Sequence, residues 1–548
     1  MSKIQIFALG GLNENGKNMY VVDVDKDLFI FDAGLKYADD KMLGVDYIVP
    51  DYKFLKENQK RIKGIFLTHA HEKYMGAVTD IVRNIPNINV YATKFTFDTL
   101  KRDFLENNIN FKNLHLINAH RKINFGKNSV FPVSLTHSVP DTVGYVLNTE
   151  DGAIMYTGNF VFDSSMVGTY QTDIGKLAYI GKQGVLCLLS ESEYADKVGY
   201  TAPNNRISND VRDVLLHSDG RIIISLITNH VSRLQDLFNE ISKTHRKIII
   251  MGKNMQNLVN YVIDEGYVTF DKNKIGNLSN IEDKDSIILI SNENRKPFVN
   301  LERIVNGYDK YIMLKEDDTV LYLEPIGVGM EKKAAKLADD ISKIGANVVT
   351  LSPKDHLLCH ASQEDLMLML NLMKPKYYFP VIGEYRQMLE NANIADSIGI
   401  PKENIILKVN GEVAVFKDGN LLEEKKVVET NELLIDGNST KDIGELVLKD
   451  RELLSENGIV IICATLNKRT KEILAGVEVL TRGFIYVKES TDMIEKMKEI
   501  SLEVINSNIS NNYVEFNKIK NGIREELGKY LYLETECKPM IITVITEV

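Results

Sequence analysis

The stretch Gly64-Ile65-Phe66-Leu67-Thr68-His69-Ala70-His71-Glu72-Lys73-Tyr74-Met75-Gly76-Ala77 constrains this chain more than any other. A short apolar run bounded by Gly64 reads as a buried strand. Two histidines spaced i, i+2 sit in the loop where that strand ends, a spacing that lets both imidazoles turn toward one metal ion. Met75-Gly76-Ala77 opens a helix-like segment, which places the histidines at the carboxyl end of a strand, where open α/β sheets hold their ligands. Taken alone, an H-x-H pair is equally compatible with structural or exposed histidines.

The 548 residues are too many for one core and predict about three units. Apolar residues at 44% and charged residues at 26% are ordinary for a globular protein. No run approaches bilayer-spanning length and the N-terminus lacks a basic-then-apolar leader pattern, so a cytoplasmic protein is expected. Cys187, Cys359, Cys463 and Cys537 are far apart and form no C-x-x-C pair, which predicts buried thiols rather than disulfides or a cysteine zinc site. A net charge of −10 argues against nucleic-acid binding over the whole surface. Lys243-Thr244-His245-Arg246-Lys247 and Lys468-Arg469-Thr470-Lys471 could line a local basic channel or simply be solvated faces.

Short apolar runs separated by turn signals open the chain: Ile4 to Leu9, Met19 to Val24 and Leu28 to Phe31. They read as a β-meander. Asp32, just after the third run, is either a support for the histidine loop or an ordinary turn aspartate. Strands and helices then alternate to Leu188-Leu189-Ser190-Glu191-Ser192, arguing α/β layers. From Gly199 the order is helix Ser208–Leu216, strand Arg221–Leu226, helix Val231–Ile241, then strands Ile248–Met251 and Ile287–Ile290. Glu331–Ile344 is predicted as an amphipathic helix, with Ala334, Leu337, Ala338, Ile341 and Ile344 on one face and Gly345 as its stop, before a strand Asn347–Leu351. Beyond a linker with a strand or two at 419–445, strands Gly458–Ala464 and Gly483–Val487 and a helix Asp492–Ile505 are expected. Asp492 and Glu495 offer a capping pair for that helix.

The histidine stretch resembles the H-x-H-x-D-H signature of the metallo-β-lactamase superfamily. With Phe31-Asp32-Ala33-Gly34, His137-Ser138-Val139-Pro140-Asp141, Thr157-Gly158-Asn159-Phe160, Ser362-Gln363-Glu364-Asp365-Leu366 and Gly383-Glu384-Tyr385-Arg386, the chain resembles the ribonuclease J family of β-CASP nucleases over almost its whole length. The resemblance implies an α/β fold: a four-layer αββα metallo-β-lactamase domain (1–198 and 353–418), an inserted β-CASP α/β domain (199–352), a linker (419–445) and a small C-terminal α/β association domain (446–548). It also implies 5′-to-3′ exonuclease and endonuclease chemistry in messenger RNA decay and ribosomal RNA maturation.

Phosphodiester hydrolysis in this family uses two Zn2+ or Mn2+ ions. The first ion's ligands correspond to His69, His71 and His137, all present. The second ion's correspond to Lys73, Tyr74 and Ile382, and the bridging aspartate to Asn159, so every one of these is lost. An ammonium at Lys73 cannot coordinate while protonated and would repel a nearby cation, standing as a fixed positive charge in the second ion's place. The three histidines either hold a single Zn2+ with an open fourth position or hydrogen-bond each other, Asn159 and water in a relic pocket. The family's phosphate-holding H-V-S-G-H reads His356-Leu357-Leu358-Cys359-His360, so a hydroxyl is lost at Leu358 and a side chain gained at Cys359. Of the family's S-N-x-H-R segment, Asn229-His230-Val231-Ser232-Arg233 keeps Arg233. Without the family, His356 and His360 at i, i+4 would suggest a helical metal pair.

Scaffold residues such as Gly10, Gly11, Gly34 and Pro140 are kept while the chemistry is eroded. The expectation is a silent or very weak J-type protein that forms a homodimer or a hetero-oligomer with an active paralogue, through its C-terminal and metallo-β-lactamase domains, in contact with RNA. Two alternatives stand beside it: a weakly active mono-zinc ribonuclease, and an RNA-binding adaptor.

Overall fold

The computed structural model describes residues 2–38, 42–227, 230–292, 298–327, 330–437, 445–485, 490–510 and 513–548. Chain contacts divide it into two units, Met1–Tyr37 with Tyr47–Leu433, and Ala38–Asp46 with Leu434–Val548.

In the first unit, an eight-stranded sheet runs in the order Asn420–Val427, Glu412–Lys417, Lys3–Gly10, Met19–Val24, Asp27–Phe31, Ile62–Phe66, Val90–Ala92, Leu114–Leu116. The expected opening meander is its antiparallel centre, and the sheet turns parallel where Asp27–Phe31 meets Ile62–Phe66. The strand Asn420–Val427, within the stretch read as a linker, pairs with Glu412–Lys417 and extends this sheet. A six-stranded sheet, Tyr377–Pro380, Val185–Ser190, Gly152–Tyr156, Val143–Thr149, Asn128–Ser134, Ile123–Phe125, faces it. Between them Ile6, Phe29, Phe31 and Phe66 pack with Tyr145, Leu147, Tyr156 and Leu189 in one apolar core. Helices Ile174–Gln183, Gln363–Met373 and Tyr385–Ser397 cover the far side of the second sheet through Leu177, Leu366, Met369 and Ile394. Helix Lys94–Glu106 lies against the edge strands of the first. These layers are the αββα sandwich.

The segment from Ser208 to Thr350 builds a separate, wholly parallel sheet in the order Lys247–Ile250, Ser286–Asn292, Ile222–Ile227, Thr319–Tyr322, Asn347–Thr350. Its central strands are near-continuous apolar runs, as burial on both faces requires. Helix Glu331–Ile344 forms as expected, burying Ala334, Leu337 and Ile341 and ending at Gly345, whose φ of +98° only glycine takes without strain.

In the second unit, strand Ile459–Leu466 runs antiparallel to Ile473–Arg482 and parallel to Met540–Glu547. Helices Thr491–Ser507 and Phe516–Thr535 cover one sheet face with Met497, Ile505, Ile519, Ile523 and Leu527. Two expectations are corrected here. The sequence reading missed a strand at Ile473–Arg482, which Gly483 ends at φ +69°; of the strand expected at Gly483–Val487, residues 483–485 are not in a strand and 486–487 lie outside the described residues. The helix starts at Thr491 with Ser490 at its cap, so Asp492 falls inside the first turn and the Asp492–Glu495 capping pair does not form.

Candidate functional site

The site is built on loops that leave the carboxyl ends of the two facing sheets. Strand Ile62–Phe66 ends into the histidine loop, and the helix following it begins at Glu72, not near Met75 as the sequence suggested. His71 is thereby its cap residue, and the helix breaks at Gly76 before Val78–Asn84. The neighbouring loop holds this turn tightly: Ala33 N–H donates to Tyr74 O at 2.7 Å and Leu35 N–H to Glu72 O at 2.9 Å. A Cβ on Gly34 would stand 1.6 Å from Lys73 O, so only glycine fits between them.

Asp32 resolves in favour of support. Its buried carboxylate accepts from Thr68 N–H at 2.7 Å, from Tyr156 Oη at 2.7 Å and from Thr68 Oγ1 at about 3 Å. Burial raises its pKa to about 7 against these hydrogen bonds. Thr68 Oγ1 lies 2.9 Å from His69 Nδ1. With the threonine proton given to Asp32, His69 Nδ1–H is the donor in that contact, and Nε2 carries the bare lone pair. That nitrogen is buried and has no hydrogen-bond partner. His137 donates from Nδ1 to Cys359 O at 2.7 Å, which leaves its Nε2 bare as well, 3.2 Å from His71 Nδ1. The ligand atoms of His69, His71 and His137 all lie within 4.8 Å of one another. Burial, and then mutual repulsion, holds all three well below the ordinary imidazole range, so they stand neutral, with His71 Nδ1–H donating to His137 Nε2 as the relic reading expects and His69 Nε2 left without a partner. An orphaned, aimed Nε2 fits a three-histidine set for one zinc ion. Asn159, expected in the relic reading to join the histidines, instead accepts from Tyr74.

The second ion's surroundings do not fit a metal. Tyr74 Oη donates to Asn159 Oδ1 at 2.6 Å, both side chains buried. Lys73 Nζ lies 2.6 Å from Asn15 Oδ1 and 3.3 Å from Glu193 Oε1. Ile382 packs into the core beside Tyr20, and its φ of +56° is unusual for a β-branched residue.

The segment His356–His360 is not helical, which removes the helical-pair reading: the two imidazoles meet different partners. His356 Nε2 lies 3.0 Å from Asp210 Oδ2. His360 Nδ1 lies 3.0 Å from Glu191 and 2.9 Å from Glu193. Burial alone would lower the His360 pKa, but these two carboxylates raise it to about 10. Leu358 N–H donates to Tyr194 Oη, and the Cys359 thiol, pushed up to about 11 by burial, is inert. Leu357 O and Leu323 O both accept from Arg233, whose guanidinium also pairs with Glu324 at 3.3 Å. His230 Nδ1 pairs with the same Glu324 at 2.8 Å, while Asn229 lies outside the described residues. A cavity of about 120 Å³ is bounded by His71, Lys73, Ser138, His230, Arg233 and His360, of which Lys73, His230, Arg233 and His360 are each already paired with a carboxylate. In the basic runs, Arg246 donates to the backbone carbonyls Gly220 O and Ser218 O, and Lys471 pairs with Glu547.

Sequence reasoning passed over Glu193, Glu191, Asp210 and Glu324. Only the first pair left a signal. Glu191-Ser192-Glu193 repeats at a strand end the i, i+2 spacing of the two histidines.

Profiles of known families match along the chain: the beta-lactamase superfamily domain at residues 29–174, the ribonuclease J beta-CASP domain at 219–341, the Zn-dependent metallo-hydrolase RNA specificity domain at 354–404 and the ribonuclease J C-terminal domain at 446–548. Ribonuclease J2 of Bacillus subtilis (strain 168) is 36% identical over 100% of this chain and 99% of its own length. Ribonuclease J 2 of Staphylococcus aureus (strain MRSA252) is 34% identical over 100% of this chain and 98% of its own. A solved structure, that of a protein of unknown function from Enterococcus faecalis V583, shares the fold at TM-score 0.52 and 17% identity, covering 76% of this chain and 100% of the other. No helix among the described residues is long and apolar enough to cross a membrane. Full-length identity to these relatives, together with the sandwich, the inserted parallel sheet and the converging histidines, makes this chain a member of the ribonuclease J family.

Proposed function

We propose that this chain is a ribonuclease J-type protein of RNA processing and decay whose own active site is silent or very weak, and that it serves as a structural and regulatory subunit of an active J-type paralogue. One observation carries the reading: protein groups satisfy each other where the second metal ion would be held. Tyr74 is spent on Asn159, Lys73 on Glu193 and Asn15, and Ile382 on the core. Two-ion chemistry stabilises both the attacking and the leaving oxygen, and a site with one ion lacks half of that clamp. The phosphate-facing bases are similarly committed, to Glu324, Asp210, Glu191 and Glu193.

The three histidines would hold one zinc ion, which supplies Lewis-acid polarisation of a bound oxygen. Around it His137 is oriented by Cys359 O and His69 by Thr68 and Asp32. That preserved support favours the second reading, a weakly active mono-zinc ribonuclease.

Assembly is supported by the second unit. The sheet face away from its helices carries Leu480, Ile461 and Ile542 in one cross-strand row, with Val544 beside Cys463 in the next. Leu480, Ile542 and Val544 are 51%, 40% and 43% exposed, an apolar face of the kind that subunits cover.

The test compares wild type with Lys73→Asp/Tyr74→His/Asn159→Asp/Ile382→His on a 5′-monophosphorylated RNA. The silent-subunit reading expects activity to appear only in the restored protein. Wild-type digestion that chelator abolishes and His69→Ala removes would overturn it in favour of the mono-zinc enzyme.

A further inference from the structure

The six-stranded sheet carries a second cavity, on its outer face rather than at the strand ends that hold the histidines. Helix Ile174–Gln183 packs on this face and buries Leu177 and Ile180 against it. Its residues Lys176, Tyr179, Ile180 and Gln183, at i, i+3, i+4 and i+7, form one stripe of the helix. Opposite the stripe stand two cross-strand rows, Phe131 with Val146 and Asn148 with Ala153. The wedge between helix and sheet encloses about 230 Å³. An apolar cavity of about 150 Å³ already holds one benzene ring, so this one has room for a bicyclic ring.

The two ends of the wedge differ in chemistry, over a floor of buried Val146, Ala153 and Ile180. At one end Lys176 Nζ lies 6.0 Å from the Phe131 ring centroid and 5.7 Å from that of Tyr179, whose ring is left 58% exposed. Asp173, one turn before it, directs Oδ1 to the backbone N–H of Lys176 at 2.8 Å, and the ammonium pairs with no carboxylate among the described residues. At the other end Ala153 N–H donates to Gly184 O at 3.3 Å, which sets the Asn148–Ala153 row beside Gln183. Both amides there are open to a ligand: Asn148 has one long contact, Nδ2 to Ser129 Oγ at 3.4 Å, and the Gln183 amide has no partner among the described residues.

The distance between the ends selects the ligand. From Lys176 to Gln183 the helix rises about 10 Å, at about 1.5 Å per residue. An aromatic acid with its carboxylate on the ring is too short to reach both. A nucleotide spans them: the base lies on the apolar floor beside the two aromatic rings with its edge to the amides, and the phosphate reaches the ammonium across the ribose. A side-chain amide pairs in bidentate fashion with N6 and N7 of adenine, and aromatic rings stack on its faces. We propose that this wedge binds adenosine 5′-monophosphate, with adenine held by Asn148 and Gln183 over Val146, Ala153 and Ile180, and the phosphate held by Lys176. Binding makes and breaks no covalent bond, and the inference stands whether or not the chain hydrolyses RNA.

The test titrates the full-length protein with adenosine 5′-monophosphate in a calorimeter. Wild type is expected to bind one molecule per chain, and to bind adenosine and ribose 5-phosphate each at least about tenfold more weakly. Lys176→Ala should bring the monophosphate down to the level of adenosine while leaving adenosine unchanged. Gln183→Ala should weaken the monophosphate and adenosine but not ribose 5-phosphate. Neither side chain is buried, so both variants should keep the wild-type melting temperature. The proposal is overturned if wild type binds no adenosine 5′-monophosphate at millimolar concentration, or if Lys176→Ala binds it as tightly as wild type, the nucleotide then sitting elsewhere. It is equally overturned if ribose 5-phosphate matches the nucleotide, the ammonium then holding a phosphate alone.

Discussion

Tyr74 Oη donates a 2.6 Å hydrogen bond to Asn159 Oδ1, and neither side chain is more than 1% exposed. Where the family carries a histidine and an aspartate on a metal ion, this chain carries a donor and an acceptor that satisfy one another. Tyr74→Phe should therefore cost about 1–3 kcal/mol by leaving a buried amide oxygen unpaired. Chemical denaturation of Tyr74→Phe, Asn159→Leu and the double variant would measure the pair directly, the double variant costing less than the sum of the singles. Strict additivity would show that the contact does not form.

The three-histidine set should take up one zinc per chain. Elemental analysis of purified protein would give about one equivalent, falling to background in His137→Ala. Thr68→Val should weaken the retained zinc without abolishing it, because it frees His69 Nδ1 from the hydroxyl that fixes its tautomer; losses of about 10- to 100-fold are usual for such supporting groups.

At the base of the parallel sheet, the buried Arg221 makes two hydrogen bonds to the buried Asp318, Nε to Oδ1 at 2.9 Å and Nη2 to Oδ2 at 2.7 Å, and caps Ile281 O and Met313 O. Removing one member of such a pair leaves the other charge buried alone. Arg221→Ala should lose about 3–5 kcal/mol, read as a lowered unfolding midpoint, whereas Lys343→Ala, at an exposed pair with Asp340, should leave the midpoint nearly unchanged.

Asp103, in helix Lys94–Glu106, is raised to about 7, first by burial and then by Glu106 and Glu72, with Arg102 opposing. The folded state therefore holds this proton between pH 4 and 7, where the unfolded chain, titrating near the ordinary aspartate value of 3.8, has released it. Its contribution to stability is present below that window and declines as pH rises through it. Wild type should lose roughly 1–2 kcal/mol relative to Asp103→Asn between pH 5 and 7.5. Parallel urea titrations at the two pH values check this, and equal shifts in both proteins would refute it.

Leu480→Glu and Ile542→Glu place charges on the open apolar sheet face without touching the helix-covered side. Each should shift the protein toward monomer in light scattering, alone and mixed with an active J-type partner, with the melting temperature changed little. An unaltered mass would move assembly to another surface.

Much of the fold was legible because its signals are local. The meander, the helix Glu331–Ile344 with its glycine stop and the parallel strands of the inserted domain each follow from apolar spacing within a few residues. The strand at Ile473–Arg482 was not, since Leu474-Ala475-Gly476-Val477 neither alternates cleanly nor ends on an obvious turn before Gly483. That Lys73, Tyr74, Ile382 and Asn159 stand where the resemblance places the second ion's ligands was equally readable, because each lies in a recognisable motif.

By itself, then, the sequence determined which residue types stand at each motif position: His69, His71 and His137 in one set, and Lys73, Tyr74, Asn159 and Ile382 at the other. Only the tertiary structure decided what those residues do instead. Whether Asp32 is a turn residue or a brace, whether Lys73 faces an empty pocket or Glu193, and which carboxylates hold His230, His356 and His360 all depend on groups up to 169 positions apart. Such pairings are set by burial: a charged or polar side chain taken out of water must find a partner in space, and nothing in the local sequence names that partner.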